Sequence, residues 1–140
     1  MTESGNKTGA SRVRRDDAAI ALRRYARLGL DRRHLSPFEV YSVIRGVCRG
    51  EEEALSLLAV YDTVRLLDMT DPETADAVRE VYFFDKGRRP LKNQIGHRVL
   101  RFADERHCDE RTVYRRLRRA KEMYYHLLEY GARKESEREE

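Results

Sequence analysis

The stretch DERTVYRRLRRAKEMYYHL, residues 109–127, decides how this chain folds. Val113, Leu117, Ala120, Tyr124 and Leu127 recur in it at spacings of four, three, four and three, the period of an α-helix with one buried stripe. Asp109 stands where a helix takes its N-cap, since its carboxylate can accept an unpaired first-turn N–H. On the other side Arg111, Tyr114, Arg115 and Arg118 project, so the predicted helix is apolar on one face and cationic on the other.

Just upstream, Leu91, Ile95, Val99, Phe102 and Ala103 fall on one face of a further helix, and His107-Cys108 breaks the period between the two. Residues 85–90, with a glycine, a proline and three cations, read as a loop. Before it, Asp71-Pro72-Glu73 gives a cap, a proline suited to the first helical position and an acidic first turn, opening a helix with Val78, Val81 and Tyr82 inward. Residues 51–67 form a helix whose apolar positions cover more than one stripe (Leu55, Leu58, Ala59 and Val64; Leu57 and Tyr61), which predicts a central element with neighbours on two sides. Ser36, Pro37 and Glu39 spell a capping box for a helix presenting Val40, Tyr41, Ile44, Val47 and Cys48 and ending at Gly50. A first helix begins after Asp16 or Asp17, carries Ile20, Ala21, Tyr25 and Leu28, and stops at Gly29.

Charged residues make up 39% of the chain and hydrophobic ones 40%, with no tryptophan and little glycine or proline. That mixture favours amphipathic helices over strands, so the expected class is all-α. A length of 140 residues suits one folding unit. Its expected divisions are a disordered basic N-terminal tail over 1–15, an N-terminal helical region over 16–68, a helix-turn-helix region over 69–130 and a charged disordered tail over 131–140.

Charge changes sign by block. Residues 51–85 hold ten acids against Arg65 and Arg79, whereas residues 86–121 hold thirteen lysines or arginines against four acids. A concentrated basic block is the electrostatic footprint of a polyanionic partner. Cys48 and Cys108 lie far apart with no ligand-spaced histidine, so neither a disulfide nor a metal site is expected, and His97 and His107 read as surface or turn residues. No apolar run reaches membrane-spanning length and no signal peptide is spelled, which predicts a cytoplasmic, nucleoid-associated protein of a bacterial cell. No nucleophile–base pair, carboxylate constellation or phosphate-binding glycine loop appears, so no enzyme, catalytic residue or cofactor is expected.

Phe102-Ala103, a short gap, then Cys108-Asp109-Glu110-Arg111-Thr112-Val113-Tyr114-Arg115-Arg116-Leu117-Arg118-Arg119-Ala120 resembles the C-terminal helix-turn-helix of sigma-70-type factors, region 4. The resemblance covers roughly residues 70–128. Short chains bearing such a module resemble phage regulators of late-gene transcription of the RinA and ArpU type. The resemblance implies that Arg111, Tyr114 and Arg115 face bases and that Arg116 meets a phosphate. Where that family has an apolar residue and a glycine, this chain has Arg106 and His107, so the turn must adopt a left-handed conformation or take another path. The upstream half carries no promoter-melting region, so a complete sigma factor is not expected.

The functional expectation is therefore sequence-specific binding of double-stranded DNA by a transcriptional regulator. Arg88, Arg89, Lys92, Arg116, Arg118, Arg119 and Lys121 are expected at phosphates. RNA polymerase is a further candidate partner, and a homodimer is a candidate assembly because Tyr124, Tyr125, Leu127, Leu128 and Tyr130 surround the end of the last helix on more than one face. Two other readings compete: a DNA-packaging adaptor resembling a small terminase subunit, and a protein-binding module that grips RNA polymerase or a basic partner through the acidic helices.

Overall fold

A computed structural model of the chain describes residues 17–83 and 94–139, with side chains as far as Lys134. The predicted basic tail over 1–15, the loop at 85–90 and the candidate phosphate contacts Arg88, Arg89 and Lys92 lie outside the described residues. Those residues form α1 (Asp17–Leu28), a 3-10 turn (Leu30–Arg32), α2 (Pro37–Val47), α3 (Glu51–Thr70), α4 (Pro72–Tyr82), α5 (Gln94–Glu105) and α6 (Glu110–Glu139). No strand occurs among them, and the chain is all-α as its composition predicts.

Short-range chemistry sets the helix boundaries. The Ser36 hydroxyl accepts from the Glu39 N–H and the Glu39 carboxylate accepts from the Ser36 N–H, so α2 opens on the predicted capping box. Asp71 ends α3, its N–H bonded to the Leu67 carbonyl at 2.7 Å, and also opens α4. Its carboxylate takes the Thr74 hydroxyl at 2.7 Å and the Thr74 N–H at 3.4 Å. One residue thus reverses the chain, and Pro72 follows where no N–H is required. Gly29 adopts φ +67°, which explains the stop of α1.

The core is one continuous cluster drawn from every helix. α3 is central as its double stripe predicts: Ala54, Leu57, Leu58, Ala59, Val60, Val64 and Leu67 are all buried. α6 packs along α3 and α4, α5 leans on α4 and α6, and α2 flanks α3. Tyr124 is buried with its hydroxyl 2.8 Å from that of Ser56, and the Ala18 N–H donates to the Tyr125 hydroxyl at 3.1 Å. Intramolecular packing therefore accounts for Tyr124 and Tyr125, while Tyr130 stays 57% exposed.

Two local expectations are corrected. Ile20 points outward on α1, whose buried stripe is Ala18, Ala21, Leu22 and Tyr25. The last helix does not stop at Gly131 but runs to Glu139, replacing the predicted frayed tail over 131–139. A glycine inside a helix costs about 1 kcal/mol relative to alanine, which is not enough to end it when strong helix formers follow. Arg133 also reaches back one turn to Glu129 at 3.1 Å.

Candidate nucleic-acid interface

α5 and α6 are joined by four residues, Arg106 to Asp109. The Cys108 N–H bonds to the Ala103 carbonyl at 2.9 Å and the His107 N–H to the Asp104 carbonyl at 3.2 Å, with His107 at φ +55°. These paired bonds around a left-handed residue are a Schellman motif, with half-buried Cys108 brought back toward Ala103. The chain takes the left-handed path without a glycine.

The turn sets α6 against α5 and α4 through Val113, Leu117 and Ala120, which are 0%, 4% and 1% exposed. Val99, Phe102 and Ala103 meet them from α5, and Val78 and Val81 belong to the same core from α4. With the apolar stripe held this way, Arg111, Arg115 and Arg118 fall on the opposite face at helical spacing i, i+4 and i+7, and all three are exposed. Among the described residues none of these three guanidinium groups has an ion pair or hydrogen-bond partner. The ridge runs about 10 Å at 1.5 Å per residue. Tyr114 is 44% exposed beside it, its hydroxyl turned toward Gly96 on α5.

Three residues expected at phosphates make contacts within the protein. Arg119 pairs with Asp71 at 2.7 Å, Arg116 pairs with Glu73 at 3.4 Å, and the Lys121 ammonium sits 5.7 Å from the Tyr82 ring centre. A third rung links Arg106 to Asp76 at 3.4 Å, and the same guanidinium lies over the Phe102 ring. Acids along α4 thus neutralise cations of α6 and of the turn. Sequence reasoning assigned the basic block to a polyanionic partner and named none of these pairs, whose members lie 30 to 48 positions apart. The hydroxyl and N–H of Thr74, with Arg119 beside them, hold the Asp71 carboxyl below the usual carboxylate range.

No group of three or more His, Cys, Asp or Glu side chains is placed to hold a metal among the described residues, and no described helix is long and apolar enough to cross a membrane. No protein-family model, curated protein or solved structure matches the chain.

Proposed function

We propose that the chain is a transcriptional regulator that binds double-stranded DNA by laying the first turns of α6 in the major groove, in the manner of the sigma-70 region 4 helix-turn-helix it resembles. The single observation behind this reading is the ridge of Arg111, Arg115 and Arg118, exposed and without a counter-charge among the described residues, opposite a stripe clamped by α4 and α5. A helix that reads bases must be held at a fixed angle by one face while the other offers donors to guanine O6 and N7 and to phosphate oxygens. Arginine supplies such donors as a planar fork, and the partial positive charge at a helix N-terminus favours the approach of a polyanion. Arg111 and Arg115 with Tyr114 are assigned to base edges and Arg118 to a phosphate. Arg116 and Arg119 are assigned to bracing α6 on α4.

Selection of bound duplexes from a random pool, followed by fluorescence anisotropy on the selected sequence, tests the reading. Arg111→Ala and Arg115→Ala are each expected to weaken binding by about 1–3 kcal/mol and to relax sequence preference. Affinity should fall steeply between roughly 50 and 200 mM salt as counterions compete for the phosphates. Unchanged affinity in both variants, or a shallow salt slope, removes the reading.

A further inference from the structure

α3 carries a third face that none of the described helices covers. Leu55, Asp62, Leu66 and Met69 recur along it at helical spacing, and Tyr41 of α2 and Tyr130 of α6 wall a groove of about 590 Å³ above it. Met69 is 75% exposed and Tyr130 57%, and Phe38, one turn before Tyr41 on α2, is 78% exposed. The floor from Leu55 to Met69 is about 21 Å long at 1.5 Å per residue, the length of a helix of about four turns. Exposed apolar surface gathered in this way, rather than scattered singly, marks a docking site.

Charge selects the occupant. Arg45, Arg65 and Lys134 stand around the groove, whereas among the described residues Asp62 is its single acidic lining residue and already accepts the Tyr41 hydroxyl at 3.2 Å. Arg45 already donates to both carboxylate oxygens of Glu51 at 2.9 and 3.0 Å, so exposed Arg65 is the cation on which the choice turns. A second copy fits poorly, because two such grooves meeting face to face would set cation against cation. Nor does the described surface offer another acidic apolar helix face: Ile20, Val47, Leu100 and Tyr114 lie singly on α1, α2, α5 and α6.

We propose that this groove receives an amphipathic helix of about four turns from another protein, with an apolar stripe facing α3 and aspartate or glutamate on its flanks. At 100° and 1.5 Å per residue, Leu127, Tyr130 and Lys134 lie about 60–180° around α6 from the three ridge arginines and about 14 Å or more further along it, so groove and ridge occupy different parts of the helix. The occupant and DNA therefore bind together; this last step rests on the DNA-binding reading, and the docking site does not.

The test uses the full chain with two fluorescein-labelled synthetic 16-residue helices that share one leucine stripe, one flanked by glutamate and the other by lysine. The glutamate peptide is expected to bind saturably and the lysine peptide at least about tenfold more weakly. Met69→Glu and Arg65→Glu change exposed side chains, so helicity by circular dichroism should hold while each weakens the glutamate peptide about tenfold. Neither variant should alter affinity for the selected DNA duplex, so the two readings fail separately. Absence of binding by the glutamate peptide, equal binding of both peptides, or full binding to both variants overturns the proposal. So does a dimer in sedimentation velocity that Met69→Glu converts to monomer, which would give the groove to a second copy. If Met69→Glu loses helicity, the Arg65→Glu result alone decides.

Discussion

Asp71 and Asp62 each meet a single hydroxyl, yet their acidities move in opposite directions. At Asp71 the Thr74 hydroxyl is the largest influence, followed among the favourable contacts by Arg119 and the Thr74 N–H, and the carboxyl is lowered. At Asp62 burial outweighs the Tyr41 hydroxyl and Arg65, and the carboxyl is raised. A lowered carboxyl stabilises the fold above the unfolded value of about 4, and that contribution is lost as pH falls through the folded value. A raised one works the other way, since its ionised form opposes folding at neutral pH and the penalty disappears in acid. Asp71→Ala should therefore cost about 1 kcal/mol at pH 7 through the lost cap, with the gap to the parent narrowing toward about pH 3. Asp62→Asn should raise Tm at pH 7 and leave it unchanged near pH 3; thermal melts across that range check both signs. His107 presents a different residue-scale cost, a side chain at φ +55° in the turn. His107→Gly should stabilise the chain by about 1 kcal/mol, seen as a Tm increase of about 3 °C. A lower Tm would show that the imidazole contributes more than the left-handed backbone costs.

At the scale of the element, α6 joins three tasks along one rod. Its first turns carry the arginine ridge, its middle contributes Leu117, Ala120 and Tyr124 to the core, and its last turns wall the groove on α3. Gly131 sits where the helix passes α3, and a Cβ there would meet the Leu55 Cδ2 at 3.6 Å, an ordinary van der Waals contact. Gly131→Ala is therefore expected to stabilise the protein by up to about 1 kcal/mol through helix propensity, measured by denaturant unfolding. Destabilisation would mean that the methyl group costs more against Leu55 than helix propensity returns. Periodicity and capping made most of α6 legible in advance, including its inward residues. Its far end was misjudged because the charged residues after Gly131, with nothing to pack, were expected to fray, whereas the helix continues through them to Glu139. The turn before α6 was legible as an alternative, and the paired backbone bonds at His107 and Cys108 decided it.

Across the whole molecule, one core links the proposed DNA-binding surface to the proposed docking groove. Leu67 is 0% exposed on α3, in the same cluster as Val113, Leu117 and Tyr124 of α6. Unfolding should accordingly follow one transition, coincident by circular dichroism and tyrosine fluorescence, and Leu67→Ala should lower it by about 2–5 kcal/mol without splitting it. Two separated transitions would show that the helices before residue 69 and those after it fold independently. Arg79 adds a polar tie in the same region, bridging Asp31 of the 3-10 turn at 2.9 Å and Asp68 of α3 at 2.7 Å.

The class, the helix starts and the buried face of α6 were written in the chain itself, because caps and apolar spacing act over one or two turns and need no distant partner. Which arginines stay uncommitted was decided only by tertiary structure. Asp71 and Arg119 are 48 positions apart, and nothing local announces that the acids of α4 fold against the cations of α6. The groove on α3 has the same origin: an apolar stripe predicts burial, but only the placement of α2 and α6 shows that the described helices leave one stripe of the central helix uncovered.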